Sequence, residues 1–164
     1  MKVKEFMNRN VITVDSRQTL MDVSLLFNEN GISGAPVLGP DGKVVGMISD
    51  SDLVKAVEPH KETLRLRYPS LSFMSVTFDR DVEERSLAEA CRAIQGRPVE
   101  EVMSTDVVSL EPEDNLENAV TLMNEMDLNR LPVIEEETVV GIITRADILR
   151  CLAFPPKESS EDQG

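Results

Sequence analysis

Apolar and polar positions follow nearly the same order in two stretches of this chain. Residues 35–55 read APVLGPDGKVVGMISDSDLVK and residues 131–150 read LPVIEEETVVGIITRADILR. Each runs Pro-Val-apolar, a polar turn, Val-Val-Gly-apolar-Ile, a hydroxyl residue, two variable residues and an Asp. The short apolar runs predict two strands bounded by turn chemistry and leading into a helix start. Pro36 and Pro132 lie 96 positions apart, and Asp52 and Asp147 lie 95 apart, so the copies keep register with one residue deleted in the turn. The chain is built on a duplication.

The same order extends upstream of each copy. A lead-in, VKEFM at 3–7 or VEEVM at 99–103, precedes an expected strand at Val11–Val14 or Val107–Leu110. A polar turn follows, with Pro112 in the second copy. Thr19 with Asp22, and Asp114 with Glu117, have the spacing of capping boxes. Leu20, Val23 and Phe27, and Leu116, Ala119, Val120 and Met123, then place one apolar stripe on each helix. Gly31 suits a left-handed helix end, a position taken by Asp127 in the second copy. The hairpin turn is Gly39-Pro40-Asp41-Gly42 in one copy and three glutamates, Glu135 to Glu137, in the other.

Each unit therefore reads β-α-β-β-α, an α/β (α+β) fold made of two units, 1–57 and 99–153, that share a core. The connector, 58–98, contains Pro59, His60 and Pro69, which argue against one continuous helix. Leu87, Ala90, Cys91 and Ile94 predict an amphipathic helix closed by Gly96 and Pro98. Leu71–Phe78 reads equally as a strand or a docked loop. The polar tail, 154–164, has no packing stripe and is expected to be disordered.

Charge changes the picture most. Thirty acidic and seventeen basic side chains give a net charge of −13, a field that repels nucleic-acid backbones and anionic membranes while leaving room for a local basic pocket. No apolar run reaches the roughly 18 residues of a membrane span, and no signal-peptide core follows Met1, so a cytoplasmic protein is expected. Cys91 and Cys151 sit in apolar helical patterns, as buried thiols do, and one histidine cannot build a zinc site. No nucleophile, base and orienting group can be assembled. Asp50 and Asp52 are neighbouring carboxylates with nothing nearby to give them a reaction, so an enzyme is not expected.

VKEFM and VEEVM, the strand–helix step ending in Gly31, the Ala35-Pro36-Val37 and Leu131-Pro132-Val133 strands, and VGMISDSD with VGIITRAD together resemble the tandem cystathionine beta-synthase (CBS) domain over about four-fifths of the chain. The resemblance implies two units packed by their sheets as a pseudo-twofold pair with two clefts. Its members commonly bind AMP, ADP, ATP or S-adenosylmethionine there and regulate an attached or separate protein. With no fused enzyme, channel or transporter domain in this chain, the expected target is a separate polypeptide, and no cofactor is required. A homodimer is expected to cover leftover apolar stripes. The alternative is a structural adaptor whose clefts stay empty.

Carried over by position, Asp52 and Asp147 match the family's ribose-binding aspartate, and Ser49 and Thr144 the hydroxyl residue three before it. Ser-x-x-Asp and Thr-x-x-Asp are equally capping boxes, and the two roles are compatible. The resemblance would build the base wall from Thr13 and Val14 or Ser109 and Leu110, with Ile32, Ala35 and Pro36 or Leu128, Leu131 and Pro132. Such positions also serve as strand core. Around Asp147 stand Asn129, Arg130 and Arg145, whereas the matching positions around Asp52 are Ser33, Gly34 and Asp50. A basic residue before the strand meets phosphate in the family, so phosphorylated ligands are expected to prefer the Asp147 cleft. Positively charged S-adenosylmethionine would tolerate the Asp52 cleft better.

Overall fold

The computed structural model describes residues 1–57 and 79–154. The connector readings before residue 79 and the tail after 154 lie outside them. In chain order the elements are α1 (Val3–Phe6), β1 (Val14–Asp15), α2 (Leu20–Asn30), β2 (Gly34–Leu38), β3 (Val44–Ser49), α3 (Asp50–Val57) and α4 (Asp79–Ile94). A 3-10 turn, Val99–Glu101, leads to α5 (Leu116–Glu125), β4 (Arg130–Glu135), β5 (Thr138–Thr144) and α6 (Arg145–Ala153). In the first unit β1 runs parallel to β2, and β2 pairs antiparallel with β3; in the second, β4 and β5 form the matching hairpin.

Helix α2 starts where its capping box requires. The Thr19 hydroxyl accepts the Asp22 N–H at 3.2 Å, and the Asp22 carboxylate accepts the Thr19 N–H at 3.0 Å. Gly31 ends it with φ 61°, and Asp127 takes the same left-handed conformation (φ 51°) beyond α5. The expected cap at Asp114 is not formed. Its carboxylate accepts from the Glu111 N–H at 2.8 Å, as Gln18 accepts from Asp15 at 2.9 Å in the other unit. Asn115 holds the cap position without a side-chain bond, and the first N–H of α5, on Leu116, donates to the Met1 carbonyl instead.

The opening strands are shorter than expected, and their lengths differ for a backbone reason. Ser16 donates its N–H to the Leu38 carbonyl at 2.9 Å and so extends the pairing of β1. Pro112, at the equivalent place, has no N–H to give, and the second strand shrinks to a single parallel bridge between Leu110 and Val133.

The two units complete each other. Val3 and Met7 from the first lead-in are buried with Leu110, Leu116, Ala119, Met123, Leu131, Val133 and Ile143 of the second unit. Val99, with Ile94, Val102 and Met103 around it, packs into the core of Val14, Leu20, Val23, Phe27, Ala35, Val37 and Ile48. Backbone bridges follow the same exchange: Lys2 pairs with Asn115 as Pro98 pairs with Thr19, and Asn8 with Ile142 as Ser104 with Met47. Each bridge maps onto its twin by the offset of the duplication, so the pair has a pseudo-twofold.

This exchange explains the central glycine of each Val-Val-Gly. A Cβ at Gly46 would lie 2.6 Å from the Met103 sulfur and 2.8 Å from the Ser104 carbonyl oxygen, and one at Gly141 would overlap Met7. The lead-in of one unit lies directly on β3 or β5 of the other. We therefore expect Gly46→Ala to destabilise the protein by roughly 1–3 kcal/mol through overpacking against backbone. Gly96→Ala, with nothing within 4 Å of the added carbon, should be neutral or slightly stabilising. Thermal denaturation of both variants checks this; equal melting temperatures would refute the close approach.

The second hairpin turns on Glu136 and Glu137, both at positive φ (48° and 64°), where L-residues are strained. Glu137 also meets Lys43 at the tip of the other hairpin, an exposed ion pair worth little. Replacing the two glutamates by Asn-Gly should raise stability by about 1 kcal/mol. A chemical denaturation midpoint that falls would show that the ion pair outweighs the backbone strain.

Candidate functional site

Because Asn8 bonds to Ile142 through both backbone groups, at 2.8 and 2.9 Å, the first unit's chain enters a cleft of the second. The cleft has a volume of about 560 Å³. Its first-unit wall comes from Asn8, Asn10 and Ile12, from Asn30 at the end of α2 and from the segment Gly31–Gly34 that follows it. Its second-unit wall comes from Asn129 and Arg130, from Ile142 and Thr144 on β5, and from Arg145, Ala146, Asp147 and Arg150 at the start of α6.

Asp147 is both a cap and a candidate ligand group. Its Oδ2 accepts the Thr144 N–H at 2.9 Å and the Thr144 hydroxyl at 2.7 Å, while the Thr144 oxygen accepts the Asp147 N–H at 3.3 Å. This capping box holds the carboxylate at 8% exposure, with Oδ1 turned to the Arg150 guanidinium at 3.2 Å. Asp52 forms the same box, accepting the Ser49 N–H and hydroxyl at 2.8 and 2.7 Å on one oxygen. Neither Asp52 nor Ser49 lines the described cleft.

Arg130 crosses from one unit to the other. Its Nη2 donates to the Ser33 hydroxyl at 2.6 Å, and the guanidinium lies where a Cβ on Gly34 would stand, 2.5 Å from Nη1. Glycine at this position makes room for the arginine. Burial lowers the Arg130 pKa and the nearby Asp50 carboxylate raises it, but an arginine stays protonated at any working pH.

Arg145 faces another way. Its Nε donates to the Leu128 carbonyl at 3.0 Å, and Nη2 to the Met123 carbonyl at 3.2 Å and to Asp127 at 3.0 Å. The side chain satisfies the carbonyl end of α5, a site that favours a cation. Most of its donors are used there.

The structure thus gathers Asp147, Thr144, Arg130, Asn129, Arg145 and Ile32 of the expected site residues into one cleft. Ala35, Pro36 and Pro132 are buried in the sheets, Leu128 packs half-buried against the second core, and Ser109 is exposed. Thr13 lines a separate shallow hollow with Asp15, Arg17 and the Gly39–Gly42 turn. Sequence reasoning missed Asn8, Asn10, Ile12, Asn30, Ile142, Ala146 and Arg150. Two signals were present: Ile142 shares a strand face with Thr144, and Arg150 stands one helical turn after Asp147.

Among the described residues, no group of three or more His, Cys, Asp and Glu converges as metal ligands, and no helix is long and apolar enough to cross a membrane. Both cysteines are free and half-buried rather than buried.

The family model of the CBS domain matches residues 3–59 and again 99–154. Protein MJ1426 of Methanocaldococcus jannaschii is 35% identical over 154 residues, spanning 93% of this chain and 91% of that protein. The CBS domain pair of protein MJ0100, solved in complex with 5′-methylthioadenosine and S-adenosyl-L-methionine, superposes with a TM-score of 0.67 at 21% identity, covering 93% of this chain and 96% of that one. CBSX2 in complex with AMP superposes with a TM-score of 0.66 at 24% identity, over 93% and 96%. The chain belongs to the CBS domain family and carries two CBS domains as a tandem pair.

Proposed function

We propose that this protein is a regulatory module that binds a phosphorylated adenosyl ligand (AMP, ADP or ATP) in the Asp147 cleft and signals occupancy to a separate protein. One observation carries the reading. In a chain of net charge −13, a cleft walled by both units sets the guanidinium groups of Arg130 and Arg150 against one lining carboxylate, Asp147, while Arg145 is already paired with Asp127. Such a local reversal of charge suits an anion, and a guanidinium meets phosphate with a planar fork of donors. The complexes of MJ0100 and CBSX2, which share the fold, support an adenosyl ligand.

In this reading Asp147 accepts from ribose hydroxyls, Asn129 and Arg130 meet phosphate, and Ile12, Ile32 and Ile142 sandwich the base. Asp52, next to Asp50 rather than to an arginine, suits a cationic ligand such as S-adenosylmethionine. Since the ligand touches both units, it shifts the equilibrium toward whichever packing of units or chains it binds better. Val54 and Leu149, equivalent by the duplication and 69% and 64% exposed, present matching apolar faces that a homodimer would cover.

A thermal-shift panel of AMP, ADP, ATP and S-adenosylmethionine tests the reading, because a ligand of the folded state raises the melting temperature. Silence across the panel with a stable co-purifying protein would favour an adaptor. Calorimetric titration with AMP assigns the cleft. Asp147→Ala and Arg130→Ala should each weaken binding by about 1.5–3 kcal/mol, the worth of a hydrogen bond to a charged group, while Asp52→Ala leaves it unchanged. Loss of binding in Asp52→Ala with no effect of Arg130→Ala would reverse the assignment. A lower melting temperature in Asp147→Ala at unchanged affinity would leave Asp147 as a cap alone.

A further inference from the structure

We infer that Arg150 is the residue by which this cleft distinguishes phosphorylated from unphosphorylated adenosyl ligands, an inference that rests on the function proposed above. The Asp147 carboxylate has one oxygen to offer. Oδ2 already accepts two bonds from Thr144, and Oδ1 faces Arg150 at 3.2 Å. A ribose diol that uses Asp147 must share or take Oδ1 from that guanidinium.

The three arginines of the cleft differ in freedom. Arg145 is tied to the carbonyls of Met123 and Leu128 and to Asp127, and Arg130 is partly buried on Ser33 and Gly34. Among the described residues Arg150 makes one ion pair, and it keeps a side chain 70% exposed, so it can move without breaking the core. A diol arriving at Oδ1 releases a guanidinium at the mouth of the cleft. If the ligand carries phosphate, the released group pairs with it, and one ion pair replaces another. A ligand without phosphate displaces Arg150 and gives it no new partner. Arg150 therefore favours phosphate without adding to the binding of the nucleoside. Lys55 holds the equivalent place beside Asp52 in the first unit, where a more strongly hydrated point charge replaces the planar fork.

Calorimetric titration of the full chain with AMP and with adenosine, on wild type, Arg150→Ala and Arg150→Lys, tests the inference. Arg150→Ala should weaken AMP on the order of tenfold, the loss of one charge-assisted contact, while adenosine binds as well as before or better because Oδ1 is uncontested. Arg150→Lys should fall between for AMP. An equal change for AMP and adenosine, or an AMP affinity untouched by Arg150→Ala, overturns the role of Arg150 and leaves the proposed function standing. A wild type that binds none of AMP, ADP, ATP and adenosine overturns both. Melting curves of the variants should match wild type within a few degrees, since the pair is largely exposed.

Discussion

The structure depends on the exchange of lead-in segments between the two units. A single unit of this size has too little apolar surface for a closed core, and each sheet leaves one face uncovered. Val3 and Met7 cover the second sheet, and Val99 and Met103 cover the first, so neither core is whole without the other unit. Complete burial of such side chains is worth about 1.5–3 kcal/mol each, which makes the exchange a large part of what holds the pair together. It also dictates sequence. The glycine in each Val-Val-Gly exists because a methionine from the other unit crosses that strand within van der Waals distance.

The cleft follows from the same crossing. Met7 leads to Asn8, which pairs with Ile142, and the chain then supplies Asn10 and Ile12 to the first-unit wall of the cleft. A pocket assembled this way cannot change shape without straining the bridge between the units. Under the proposed function, occupancy would therefore bear on how the two units pack. The pseudo-twofold gives each second-unit residue of this cleft a counterpart in the first unit, and a few substitutions at those positions break the symmetry. Gly34 opposes Arg130, Asp50 opposes Arg145, and Lys55 opposes Arg150.

Much of this was legible in the sequence because duplication and periodicity are local. The strand pairs, the stripes of α2 and α5, the helix at the end of the connector and the capping boxes at Thr19, Ser49 and Thr144 all follow from spacing. The exchange was not legible, since VKEFM has the same apolar pattern whichever unit it covers. Its consequences were hidden with it: Asn8, Asn10 and Ile12 look like a first-unit linker and become one wall of a cleft that faces the second unit. The Asp114 cap failed for a smaller reason. Aligned on the duplication, Asp114 matches Gln18 and not Thr19, and it closes the turn that Gln18 closes. The opening strands were overextended at their starts, since 11–13 and 107–109 pair with no neighbouring strand, while Pro112 removes the donor that would carry the second one past Leu110.

Arg145 shows how a duplicated site diverges without losing its scaffold. At Asp50 the first unit needs no cation, because α2 ends on Gly31, whose own N–H donates back to the Phe27 carbonyl. The second unit has Asp127 at that point, a residue that tolerates the left-handed turn less well and adds a negative charge beside the carbonyl end of α5. Arg145 answers both, meeting two carbonyls and the Asp127 carboxylate. One change at a helix end thus accounts for a cation at the head of α6. The charge of the cleft is set partly by how its neighbouring helix terminates, and of its three lining arginines Arg130 and Arg150 are the two not tied to that helix end.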